Sequence, residues 1–259
     1  MAKEKPRDLR AGIALLWGEQ EQPTRGPKPS LTPRRIAASA VAIADAEGLE
    51  AVSMSKVAAG FGVSAMALYR YVPGKAELVE LMVEEVLAAV PDLTAAGDGW
   101  RERTIAWARA SEAVNRAHPW LLTATAMRRQ LMGPHQIGWL DAALVALEPT
   151  GLGAVERHRI FVLVAGLVRT ITQQQADFDE EHSREWGRLT GEVLERHADR
   201  FPGFTRAVAG GAFGPDPVDP LEFGLGCILD GVQLLIDQAL TGQGLTGQAL
   251  TGQALIDQG

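Results

Sequence analysis

From Thr32 to Leu240 the apolar residues of this chain recur three and four apart, and no window alternates apolar with polar residues between hairpin turns. A chain patterned in that way folds as packed helices, so the expected class is all-α. The first helix is the most sharply bounded. Thr32 can cap it, Pro33 suits its first position, Ile36, Ala40, Ile43 and Ala44 share a face, and Gly48 ends it. A second, short helix opens at Ser53 with Val57, Ala58 and Phe61 inward. Gly62 makes a turn, and Ser64 can cap a third helix running to Tyr71. Pro73-Gly74 breaks the chain before a fourth helix, with Leu78, Leu81, Met82, Val86 and Ala89 on one face and Glu77, Glu80 and Glu84 on the other.

Further helices are expected at about 100–116, 119–128, 134–147, 154–178, 184–197 and 220–240. Pro119, Gly133-Pro134, Pro149-Thr150-Gly151, Pro202-Gly203 and a Gly/Pro-rich stretch from Gly210 to Pro220 separate them. The two ends read differently. Residues 1–31 hold Pro6, Pro23, Pro27 and Pro29 and show no sustained period, which suggests a flexible basic arm. From Leu235 the chain cycles as LIDQA, LTGQG, LTGQA, LTGQA, LIDQG. Five fits no helical period, and a glycine disfavours a helix by roughly 1 kcal/mol relative to alanine, so residues 241–259 read as a low-complexity tail. Between the ends, 32–78 forms one unit and 79–240 a larger helical one.

The net charge of −7 is unevenly placed. Residues 1–75 carry 11 Lys and Arg against 7 Asp and Glu, the remainder 14 against 25, and every lysine lies at or before Lys75. A basic module joined to an acidic body suits a phosphate-facing head. The lone cysteine, Cys227, forms no internal disulfide, which fits a reducing compartment. No secretory signal is visible, and the greasiest run, Ile160 to Val168, is far below the ~20 residues that span a bilayer, so a cytoplasmic protein without a membrane partner is expected. The histidines, His118, His135, His158, His182 and His197, show neither HExxH nor zinc spacing. Nucleophile elbows, Walker loops and GxGxxG are missing too. Neither an enzyme nor a cofactor or metal is expected.

The segment SMSKVAAGFGVSAMALYRYVPGK, Ser53 to Lys75, reads as a helix-turn-helix in which Val57, Ala58, Phe61, Val63, Leu68 and Val72 pack two rods together. Ala65, Met66, Ala67, Tyr69, Arg70 and Tyr71 then face outward, where the N-terminal end of such a rod fits a major groove. Ser64 and the first-turn amides can meet a phosphate. The blocks LTPRRIAASAVAIADAEGLEAVSMSKVA and FGVSAMALYRYVPGKAELVELM resemble the TetR family of repressors. Later stretches, among them GPHQIGWLDAALVAL and PLEFGLGCILDGVQLLIDQAL, resemble the ligand-binding domain of its tetracycline-repressor branch. The resemblance implies that Tyr69 and Lys75 touch backbone phosphates and that Ala65, Met66, Ala67 and Tyr71 face bases or sugars. For both tyrosines, packing against neighbouring helices is the alternative. Ser53 and Ser55 open the second helix, and Ser55 stands where relatives often carry a guanine-reading arginine. A serine cannot make that bidentate pair, so the operator depends more on shape, with Arg70 the one long donor on the face. Arg25-Gly26-Pro27-Lys28-Pro29, followed by Arg34 and Arg35, either enters an adjacent minor groove or is a solvated linker.

One reading head makes too few contacts for specificity, so a homodimer is expected on double-stranded operator DNA. Ile160, Val164 and Leu167 of one helix and Gly224, Cys227, Ile228, Gly231 and Leu235 of another form the candidate dimer surface. Two such helices per subunit make an intersubunit four-helix bundle, as the resemblance also implies; a purely intrachain core is the alternative. Trp107, Met127, Arg128, His135, Trp139, Gln173, Gln174 and Asp177 are the candidate contacts for an unidentified small-molecule effector. Family members that bind metal–tetracycline use a histidine and an acidic residue; Asp177 matches the second, and no histidine aligns with the first. A ligand-responsive repressor is the leading reading. A DNA-binding protein without an effector, and a helical small-molecule binder that has lost its operator, are the alternatives.

Overall fold

The computed structural model describes residues 8–19, 31–126, 131–176, 180–214 and 217–241, and every regular element among them is helical. The N-terminal unit is built from α2 (Pro33–Glu47), α3 (Met54–Gly60), α4 (Ala65–Leu68) and α5 (Lys75–Val86). Thr32 Oγ1 caps α2 by accepting the Arg35 amide at 3.2 Å, and Ser53 Oγ caps α3 through the Lys56 amide at 3.2 Å. At the turn, Gly62 adopts a φ of 66°, and the amides of Gly62 and Val63 return to the carbonyls of Ala59 and Ala58, each at 3.1 Å. That pair of bonds closes α3, and a residue with a Cβ is strained at the left-handed position. Ile36, Ala40, Val52, Val57, Leu68, Val72, Leu78 and Met82 fill the space between these helices. Each large one contributes about 1.5–3 kcal/mol by leaving water.

The structure differs from the sequence expectation in several places. First, the segment expected to be a flexible arm contains α1 (Leu9–Leu16), capped by Asp8, which accepts the Arg10 and Ala11 amides at 3.1 Å each. Leu15 and Leu16 are buried against the same core, and Trp17 Nε1 donates to the Met132 carbonyl at 3.3 Å. Two turns of helix are too short for an apolar period to register. The segment with Arg25 and Lys28 and the tail from Gly242 lie outside the described residues. Second, the third helix is one turn long: the amides of Tyr71 and Val72 both return to the Leu68 carbonyl, and Ser64 makes no side-chain cap. Third, Pro202 starts α11 (Pro202–Ala209), where its missing amide costs nothing, instead of merely breaking the chain. Fourth, Glu80 and Glu84, on the polar face of α5, are buried.

The larger unit comprises α6 (Trp100–Ala117), α7 (Trp120–Ala124), α8 (Pro134–Ala146), α9 (Ala154–Ala176), α10 (Glu180–His197), α11 and α12 (Pro220–Leu240). Its core lies between α6, α8, α9 and α12. Trp107 meets Trp139 edge-on at 6.4 Å and Phe161 at 5.6 Å, with Leu147, Ile160, Val164, Val168, Leu225 and Leu229 around them. α12 is long and apolar enough to cross a membrane by length and composition alone. Leu221, Leu225, Leu229, Val232 and Ile236 are buried in this core.

Candidate DNA-reading face and effector cleft

The reading face is small and mostly apolar. Met66 is 73% exposed and Tyr69 44%, and Ser55, Ser64 and Arg70 are exposed around them. Lys75 is the exposed first residue of α5. Ala65 and Tyr71 are half-buried and pack against the unit's core, and Ala67 is half-buried as well. The face therefore presents Met66, Tyr69, Arg70 and Lys75, with Ser64 at its start. Ser53 is occupied by its cap. Of the cations leading into α2, Arg34 pairs with Glu85 at 3.1 Å and Arg35 lies 5.8 Å from the Phe61 ring centre.

Two joints hold this head on the body. At the α6–α7 corner, Asp45 of α2 accepts from Trp120 Nε1 at 2.6 Å and lies 2.8 Å from His118 Nδ1. At the start of α8, Glu84 accepts the amides of His135 and Gln136 at 2.8 and 3.0 Å, and Glu80 accepts the Leu131 amide at 3.0 Å. A carboxylate on the free amides of a helix start satisfies otherwise orphaned donors and complements the helix dipole. Gly133 makes this possible, because a Cβ there would lie 2.3 Å from Glu84 Cδ. Trp139 Nε1 adds a bond to the Leu87 carbonyl at the end of α5. The sequence offered no signal for these joints, since partners 50 to 75 residues apart leave no local pattern.

The expected effector contacts divide. Trp107 and Trp139 come together, but in the core: Trp107 Nε1 donates to the Trp139 carbonyl at 2.9 Å. His135 packs onto α5, with Nδ1 2.9 Å from the Glu84 carbonyl. Gln173 and Gln174 are exposed, and Met127, Arg128 and Asp177 lie outside the described residues. The open space lies elsewhere. A cleft of about 460 Å³ separates the end of α6 from the end of α9, lined by Asn115, Arg116, Pro119, Thr172, Gln175 and Ala176. Its volume falls within the usual range for small-molecule sites. Arg116 spans it, with Nε and Nη2 on Gln175 Oε1 at 3.0 and 2.8 Å. Behind Arg116 runs an ionic chain: Glu112 lies 3.0 Å from Arg116 and 3.2 Å from Arg109, and Arg109 lies 2.5 Å from Asp219. Partial burial pushes the Asp219 carboxyl up, but the Arg109 bond and the Leu221 amide outweigh it and hold the group below its ordinary range.

The expected dimer residues also divide. Ile160 and Val164 are buried within the protomer, and Gly224 allows an intrachain approach, because a Cβ there would lie 2.7 Å from Leu167 Cδ1. Ile228 and Leu167 are half-buried against the same core. These residues belong to the protomer's own packing. The outward faces are shifted by about a quarter turn. They carry Val155, Val162 and Leu163 on α9 and Phe223, Cys227, Gly231 and Leu234 on α12, all exposed, with Leu235 at the margin.

Comparison with known proteins agrees with this geometry. Residues 36–82 match the family model described as bacterial regulatory proteins, tetR family, and residues 92–236 match the tetracyclin repressor-like C-terminal domain. The HTH-type transcriptional repressor DrrR1 of Streptomyces coeruleorubidus is 38% identical over 241 residues, covering 89% of this chain and 88% of that one. An HTH-type transcriptional regulator of Saccharopolyspora erythraea is 30% identical over 165 residues, 64% of this chain and 67% of the relative. Among solved structures, the TetR family protein ActR of Streptomyces coelicolor in complex with actinorhodin superposes with a TM-score of 0.64 at 25% identity, over 79% of this chain and 96% of that one. The chain belongs to the TetR family of bacterial regulatory proteins, and its body is a tetracyclin repressor-like C-terminal domain.

Proposed function

We propose that two copies of this chain join through the outward faces of α9 and α12 and set their α4 rods in successive major grooves of one operator. The joined copies place the reading rods about 34–36 Å apart, so the operator is two-fold symmetric. Met66 and the alanines favour apolar contact with thymine methyls, Arg70 supplies the long donor, and Tyr69 and Lys75 grip phosphates. The protein acts in the cytoplasm, where its operator lies. A small molecule held in the cleft between α6 and α9 is the effector, as actinorhodin is bound by the structural relative ActR.

The observation that carries this reading is the double duty of one corner. Arg116 and Pro119 line the cleft, while His118 and Trp120 in the same turn hold Asp45 of the DNA-facing unit. An effector that moves the cleft wall therefore moves the grip on α2. Differential affinity for two such arrangements, typically worth 1–3 kcal/mol of coupling, releases the operator. In-vitro selection of bound duplexes by the purified protein tests the proposal. A palindromic consensus with half-sites one helical turn apart is expected. A consensus without symmetry, or none, refutes it.

A further inference from the structure

We propose that the cleft between α6 and α9 takes an organic anion bearing a carboxylate, and that Arg116 recognises it by releasing Gln175. This inference rests on the reading of the cleft as the effector site and adds the chemical class of its occupant.

The argument starts from the partners of Arg116. Its guanidinium is 57% exposed on the cleft wall, and both Nε and Nη2 converge on a single neutral acceptor, Gln175 Oε1. One amide oxygen taking two donors is a poor match for a fork that suits the two oxygens of a carboxylate. The inner side of the fork is neutralised only in part. Glu112 lies behind it at 3.0 Å, but that carboxylate is shared with Arg109, and its Oε1 has no aligned hydrogen bond. A second cation stands close by. Arg169, one turn before Thr172 on α9, is bound to the Thr125 hydroxyl at 3.0 Å and to the Leu122 carbonyl, both uncharged. Among the described residues, Arg169 is thus a cation held by two neutral partners, one turn from the cleft.

The other walls fit the rest of such a molecule. Thr172 Oγ1 is committed to the Val168 carbonyl at 2.7 Å, so with Pro119 and Ala176 it belongs to the less polar lining. The half-buried Asn115 carboxamide makes no hydrogen bond among the described residues, which leaves a donor and an acceptor at the rim. An incoming carboxylate replaces an uncharged acceptor with a charged, bidentate one. The exchange also breaks the Arg116–Gln175 strap between α6 and α9, beside the corner that holds Asp45.

Calorimetric titration of the full-length protein with anthraquinone-2-carboxylate and with its methyl ester tests this. The acid is expected to bind at least about tenfold more tightly than the ester. Arg116→Gln should erase that preference. Gln175→Ala should strengthen binding of the acid by removing its competitor for Arg116. Ala176→Trp, which fills the cleft, should weaken both. Equal binding of acid and ester, with both lost in Ala176→Trp, overturns the assignment of an anion while the effector cleft stands. Binding indifferent to Ala176→Trp, or no binding of either probe at millimolar concentration, overturns the cleft itself and the anion with it.

Discussion

Replacing Glu84 by alanine should destabilise the protein far more than replacing its neighbour Glu85, although both are glutamates on the same helix. Glu84 is 8% exposed at its side chain and accepts two first-turn amides of α8. Losing a helix cap costs about 1–2 kcal/mol, and stranding a second buried amide adds about 1–3 kcal/mol, so the expected loss is roughly 2–4 kcal/mol. Glu84→Gln keeps one acceptor oxygen and should lose about half as much. Gly133→Ala should approach the alanine variant, because its methyl would drive the Glu84 carboxylate off the amides. Glu85 instead forms an exposed pair with Arg34, whose side chain is 78% exposed, and Glu85→Ala should cost no more than about 1 kcal/mol. Urea unfolding at one fixed protomer concentration measures all four, since the stability of the proposed dimer depends on concentration. If Glu84→Ala falls within about 0.5 kcal/mol of the unsubstituted protein, or matches Glu85→Ala, the buried joint is not what holds α5 to α8.

Three other outcomes follow from the same geometry. Phe223→Glu combined with Leu234→Glu places charges on the outward face of α12, and light scattering should then report a monomer with helix content unchanged; a persistent dimer refutes the proposed interface. Asp219 titrates below the ordinary carboxylate range, so its contribution is present above about pH 4 and disappears as pH falls through its lowered value. Asp219→Asn should therefore be less stable than the parent at neutral pH, with the difference closing in acid, and a difference that stays constant down to pH 2 contradicts the ion pair with Arg109. Leu15→Ala with Leu16→Ala should lower stability by about 2 kcal/mol or more while leaving the salt dependence of DNA binding unchanged, because α1 braces α5. A reduced salt slope at unaltered stability would make α1 a phosphate contact instead.

The sequence announced the head in detail because its signals are local. Thr32, Pro33, Gly48, Ser53 and Gly62 act within four residues of where they stand, and the structure finds each in its expected place; Ser64, expected to cap as well, makes no side-chain cap. The body was legible as helices but not as a site. Apolar periodicity located α9 and α12 to within two residues, yet could not say which apolar stripe faces the protomer's own core. Ile160 and Val164 went inward, and Val162 and Leu163 stayed out. Gln173, Gln174 and Gln175 are all exposed at the end of α9, and only helical phase puts Gln175 on the cleft. Asp45, Glu80, Glu84 and Trp120 act through partners far away in the chain, and no spacing in a single sequence encodes those contacts.

The most direct test of the account is the affinity of the selected duplex for a Tyr69→Ala, Lys75→Ala double variant, followed by fluorescence anisotropy across a salt series. With mass and unfolding midpoint unchanged, selective binding should be lost, and the log–log salt slope should fall by about two, one phosphate per Lys75 of each protomer. Undiminished affinity for that duplex, with the same slope, would mean that the exposed end of α4 and the start of α5 are not where this protein holds DNA.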